Sequence, residues 1–185
     1  MPSLPAPESS LLVPVRPNVN LRLVLPPELC LALSVFVLTN GEEFITTDFE
    51  EADVALFDRA LDVIAPDIGK SFGVRAENLA LLPPVVRRYT PETEAGLLQP
   101  RIDTFADYGI HVFLQKPEQG GNVFFPGLRF STKVVPEGWG VFHPTTLEYG
   151  ISKPKGGEVF ILSFWLKEDE ESSPEASSRA SGSSA

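Results

Sequence analysis

The sequence predicts an α+β domain. Helices come first, then a sandwich or barrel of short antiparallel strands with the helices packed on one outer face. Three observations predict it. Two helical patterns occupy the first seventy residues. From residue 79, short β-prone runs alternate with Pro and Gly. There are 18 prolines among 185 residues, about twice the ordinary ~5%, which favours short strands and turns.

The elements follow in order. Residues 1–20 hold Pro2, Pro5, Pro7, Pro14 and Pro17 and read as a flexible, extended arm. Residues 21–25 alternate and read as a strand. Pro26-Pro27-Glu28 opens a helix of about ten residues, because proline suits a first turn. That helix is apolar on every side and is expected to be buried. Asp48 can cap a second helix over 49–65. Its apolar stripe is Val54, Phe57, Leu61, Ile64 and Ile68, and Pro66 and Gly69 mark its end. Strand-like runs follow at 85–89, 109–115, 122–125, 128–135, 139–143 and 158–166. Residues 168–185 begin Glu168-Asp169-Glu170-Glu171, lack any apolar period and read as a disordered tail. The organisation expected is one domain over 21–167, with a helical part at 26–70 and a β part at 79–167.

Composition excludes several functions. The net charge of −10 argues against a nucleic-acid groove, which needs a basic face. The longest apolar run, Leu29 to Leu38, is ten residues against the roughly 20 of a membrane span. No signal peptide is evident, so a cytoplasmic or nuclear setting is expected. The single cysteine, Cys30, excludes an internal disulfide and a cysteine zinc cage, and in an apolar helix it reads as inert. No Ser, His and acid stand in a recognisable triad order.

The second half carries an ordered series of motifs. Arg88-Tyr89 precedes Gln99-Pro100-Arg101-Ile102-Asp103, and a strand ending Val112-Phe113-Leu114-Gln115 follows. Next come Glu118-Gln119-Gly120-Gly121-Asn122-Val123-Phe124-Phe125-Pro126 and Val135-Pro136-Glu137-Gly138-Trp139-Gly140-Val141-Phe142-His143-Pro144. Gly157-Glu158-Val159 and Trp165 close the series. This order resembles the iron(II)/2-oxoglutarate-dependent dioxygenases, specifically the prolyl 4-hydroxylase-like branch. The likeness covers about residues 85–166 and implies a double-stranded β-helix, or jelly roll.

The resemblance also implies a site of two His and one carboxylate around iron, open to 2-oxoglutarate and dioxygen. Asp103 matches the carboxylate. Arg101 stands at the first His position, and Tyr149, or Glu148 with a one-residue slip, at the second. The cation expected to grip 2-oxoglutarate falls at Val159, and the tyrosine expected to assist it falls at Phe113. Guanidinium has only donors and stays protonated, so it cannot ligate a metal. A dicarboxylate near Val159 and Phe113 would be desolvated without a counter-charge.

Residues i and i+2 of an extended chain share a face, so Arg101 and Asp103 can form an ion pair where the metal stood; the alternative is an Arg101 that points to solvent. Asp103, His111 and His143 hold the residue types for a rebuilt metal site, against a plain reading of both histidines as hydrogen-bonded. If His111 faces a closed interior, its pKa is expected to fall. Trp139 and Trp165 read as core.

Three functions compete. The first is a catalytically degenerate dioxygenase fold, without cofactor, that binds a protein or peptide through its barrel mouth or tails. The second is an active oxygenase, an oxidoreductase using Fe(II) and 2-oxoglutarate through an unusual ligand set. The third is a plain interaction module on an independent β-sandwich. The oligomeric state is left open.

Overall fold

The computed structural model describes residues 13–16, 18–40, 43–45 and 51–169. Its strands and helices, in chain order, are β1 (Val13–Arg16), β2 (Val19–Leu23), α1 (Pro27–Asn40), β3 (Glu43–Ile45) and α2 (Glu51–Phe72). Then come β4 (Leu79–Leu81), β5 (Val85–Tyr89), the one-turn α3 (Ala95–Leu98) and β6 (Tyr108–Gln115). The rest are β7 (Val123–Phe125), β8 (Phe130–Ser131), β9 (Trp139–Pro144), β10 (Gly150–Ile151) and β11 (Val159–Glu168). The large sheet runs β1-β2-β9-β6-β11-β5-β3, with β4 also on β11, and the small sheet runs β10-β7-β8. Every pairing is antiparallel. This is the α+β jelly roll expected.

The alternation of β6 and β11 divides the core in two. Ile110, Val112 and Leu114, with Phe160, Leu162, Phe164 and Leu166, face the helices. Phe113, Val159 and Ile161 face the small sheet, where Val123, Phe125 and Ile151 meet them. The helices therefore lie on one outer face of the large sheet. Phe57, Ala60, Ile64 and Ile68 of α2 are buried there, and Asp67 pairs with Arg22 of β2 at 2.6 Å.

Four expectations need correction. The arm is not free as far as residue 20, because β1 pairs with β2 in a hairpin. Asn18 supplies the positive φ of 67° its turn requires, which asparagine tolerates better than most residues. Helix α2 does not stop at Pro66 but runs to Phe72. Pro66 lies on the exposed side, so the carbonyl it leaves unpaired faces water while Ile64 and Ile68 keep the inner stripe in place.

Helix α1 is buried on one side only: Leu29, Leu33, Phe36 and Val37 are covered, while Leu31, Val35 and Leu38 are more than half exposed. One sheet can cover one face of a helix, and α2 meets α1 from the flank through the Phe36–Phe57 contact at 5.5 Å. The run at 128–135 shrinks to β8, because Pro126–Leu128 forms a 3-10 turn and Arg129 takes a left-handed φ of 50°. Residues 1–12, the Asp48 cap and the tail from 170 lie outside the described residues, as does the side chain of Val54.

Candidate functional site: a closed polar cluster in the barrel

The inner face of the large sheet is apolar at one end and polar at the other. On β6, Gly109 and His111 follow Phe113 along this face, and on β11, Ser163 and Trp165 follow Ile161. His143 of β9 sits opposite Gly109. Residues before β6 join them through an isolated bridge between Arg101 and Tyr149. Each backbone N–H donates to the other's carbonyl, at 2.8 and 3.0 Å. Tyr149 is thereby fixed in register and buried, while Glu148 points to solvent.

Asp103 is the hub. Its Oδ2 accepts from the Tyr149 hydroxyl at 2.7 Å and from the Trp165 indole N–H at 2.9 Å. Its Oδ1 lies 3.5 Å from Arg101 Nε, an ion pair with side chains 8% and 30% exposed. Arg101 also donates to the Tyr149 hydroxyl at 3.2 Å and to the Leu97 carbonyl at 3.3 Å. Of the two readings of Arg101, the structure takes the ion pair. Burial pushes the Tyr149 phenol well above its ordinary range, so it stays a donor.

The two histidines converge on the same cluster. Their rings lie 5.0 Å apart and nearly parallel, and Tyr149 touches both, at 4.6 and 5.0 Å between centroids. His111 Nδ1 shares a 2.9 Å hydrogen bond with Ser163 Oγ. His143 Nδ1 donates to the Pro144 carbonyl at 3.0 Å, so in the neutral ring Nε2 carries the lone pair. Nε2 of each ring is buried without a partner among the described residues.

Burial, then the neighbouring His143, hold the His111 pKa well below its usual value, as its inward position predicts. Burial likewise pushes His143 down to about 4. The two are neutral at pH 7. Among the described residues no group of three His, Cys, Asp or Glu side chains is placed to hold a metal ion, the trio of Asp103, His111 and His143 included.

At the apolar end, Phe113 and Val159 are fully buried. Gly121, at φ 62°, packs so tightly that a Cβ on it would stand 2.8 Å from Val159 Cβ. Lys116 closes the space beside them, its ammonium 4.5 Å from the Phe113 ring centre. All three of its N–H groups are engaged, by Asn122 Oδ1 at 3.2 Å and by the carbonyls of Thr132 at 3.0 Å and Val135 at 2.8 Å. Burial lowers its pKa to about 8.

No protein-family model and no curated protein matches the sequence. Solved structures do. A viral collagen prolyl hydroxylase from Paramecium bursaria Chlorella virus-1 superposes with a TM-score of 0.66 at 18% identity, over 90% of this chain and 100% of that one. The chain has the prolyl 4-hydroxylase fold. A Pseudomonas putida prolyl-4-hydroxylase gives a TM-score of 0.55 at 16% identity, over 82% of this chain and 93% of that one. HygX from Streptomyces hygroscopicus, solved with nickel and 2-oxoglutarate bound, gives 0.59 at 13% identity, over 83% of each chain.

Within this prolyl 4-hydroxylase fold, the sequence-predicted residues occupy two neighbouring regions of one interior. Asp103, Arg101, Tyr149, His111 and His143 form the polar cluster, and Phe113 and Val159 the apolar floor. Trp165 and Ser163 were missed as partners. The indole was legible only as core, since nothing in its sequence surroundings points to an aspartate 62 residues away. Trp139 is only partly buried against the inner cluster.

Proposed function

We propose that this chain is a non-catalytic form of the prolyl 4-hydroxylase fold that acts by binding a protein or peptide. The observation that carries the reading is the Asp103 carboxylate, both of whose oxygens are engaged by protein donors, two of them from uncharged side chains. The residues present fit neither iron nor 2-oxoglutarate. A cationic guanidinium and a phenol held as a donor stand where two imidazoles would be needed. Val159 and Phe113 are buried and uncharged, and the Gly121 backbone packs on Val159. The nearby cation, Lys116, has its N–H groups engaged by Asn122, Thr132 and Val135, so a dicarboxylate there would lack a free counter-charge.

A binding surface adjoins the cluster. Leu97, Ile102 and Phe105, on the segment that carries Arg101 and Asp103, are each about half exposed. The Phe105 ring lies 5.5 Å from Trp165. A cleft of about 310 Å³ lined by Tyr89, Thr93 and Leu97 lies beside them. An aromatic anchor flanked by aliphatic side chains and arginine is the composition of a recognition surface.

Titration of the untagged chain with ferrous iron and 2-oxoglutarate, read by metal analysis and thermal shift, tests the non-catalytic half. The expected result is no stoichiometric metal and no shift; one iron per chain with a shift of several degrees overturns it. For the binding half, an extended proline-containing peptide should perturb NMR signals of Ile102 and Phe105 and leave with unchanged mass.

A second reading, an active oxygenase with a non-standard ligand set, draws on one observation. His111 Nε2 and His143 Nε2 are buried and unpartnered, as free donors to a metal would be. A peptide gaining 16 mass units in the same assay decides for it.

A further inference from the structure

Helix α1 is the second surface feature that the interior does not explain. Its outward side shows Leu31, Val35 and Leu38, spaced i, i+4 and i+7, with no charge between Glu28 and Thr39. An apolar stripe of this kind is ordinarily covered. Leu31 also lines a groove of about 800 Å³, together with Cys30, Leu114, Pro117 and Val135. The opposite wall of that groove carries Val134, which is 91% exposed and is the most exposed large apolar residue described. One patch thus holds both an apolar projection and an apolar recess.

The charges bordering the patch are of both signs. Lys133 and Glu137 flank Val134 on the same segment, Lys116 also lines the groove, and Glu28 lies on α1; both acids push the Cys30 thiol pKa up after the larger effect of burial. A surface that carries a projection with its recess, and a cation with its acids, matches a two-fold-related image of itself. The stripe is also uncharged on a chain of net charge −10, so two copies can meet there with the fewest like charges opposed.

We propose that the α1 face is an interface between two copies of this chain. Val134 of each copy seats in the groove of the other, and Lys133 of each faces Glu28 of the other. This is independent of the barrel interior and stands whether or not the polar cluster is catalytic.

Light scattering coupled to size exclusion, from low to high micromolar chain, reads the mass directly. Wild type is expected to move from monomer to dimer with concentration and no further. Val134→Glu, at a loop position too exposed to affect folding, should weaken the dimer at least tenfold, and Leu31→Glu likewise, with unchanged melting of the monomer. Lys133→Glu and Glu28→Lys should each weaken it several-fold, and the two together should restore it. A monomer at every concentration, a dimer indifferent to Val134→Glu, a charge-swapped pair that fails to recover, or an open-ended oligomer each overturns the proposal.

Discussion

The two faces of the large sheet are made by alternate residues of the same strands, yet they solve burial differently. Toward the helices, β6 and β11 present Ile110, Val112, Leu114, Leu162 and Phe164, with polar groups only at the strand ends, where the Tyr108 hydroxyl donates to Glu168. Toward the small sheet, the same strands present His111, Ser163 and Trp165, gathered with Arg101, Asp103, His143 and Tyr149. The first face needs only area and fit, since apolar burial is non-directional. The second is held by directed bonds to one carboxylate, and it tolerates a lost partner poorly because each buried donor then lacks an acceptor. The polar residues at that place are tied mainly to Asp103, while Nε2 of His111 and of His143 is left without a partner among the described residues.

Breaking each face in turn tests this contrast. On the helix side, Phe164→Ala should cost about 3–5 kcal/mol in urea unfolding, the usual loss for a fully buried phenylalanine. On the inner side, Asp103→Ala leaves two buried donors unpaired and should cost about 3 kcal/mol, although it removes few apolar atoms. A cost below about 1 kcal/mol would mean that the cluster is not a tie at all.

The faces should also differ in pH response. Folded His143 is held neutral, its pKa near 4, while the unfolded ring titrates near 6.5. The unfolded chain therefore takes up its proton first as pH falls. His143 contributes full stability above about 6.5, loses it as pH drops toward 4, and should cost about 2 kcal/mol between pH 7 and pH 5. Burial moves His111 in the same direction. The groups facing the pair are Arg101, Arg87, Asp103 and Tyr149. Urea midpoints at the two pH values should converge in His143→Gln; an unchanged slope assigns the pH dependence elsewhere.

The smallest effect sharpens the packing argument. A Cβ at Gly109 would stand 2.9 Å from His143 Nε2. Gly109→Ala should therefore cost about 1–2 kcal/mol and shift the His143 ring signals, whereas Gly127→Ala, with open space around it, should do neither.

What the sequence revealed follows the range over which each interaction acts. The runs at 85–89, 109–115, 139–143 and 158–166 were legible because side-chain alternation is local. The end of α2 was misjudged because Pro66 is a strong local signal that an exposed position overrides. The hairpin of β1 and β2 was hidden by Pro14 and Pro17, which make an extended arm the natural reading. Within the site, Arg101 and Asp103 are two residues apart and their pairing was open to geometry. The bonds that Asp103 accepts from Tyr149 and Trp165 span 46 and 62 residues and exist only once the strands close.

The contact between the Gly121 backbone and Val159 has a consequence for anyone who tries to place a cation at position 159. A long basic side chain at 159 would have to displace a main-chain loop rather than fill a hole. That loop is anchored, since Gly121 N–H donates to the Ser152 carbonyl at 2.9 Å and Asn122 N–H to Ser152 Oγ at 3.0 Å. Placing histidine at 101 and 149 and arginine at 159 one by one would thus meet a floor already laid, so the loop from 117 to 122 would have to be redesigned before the side chains.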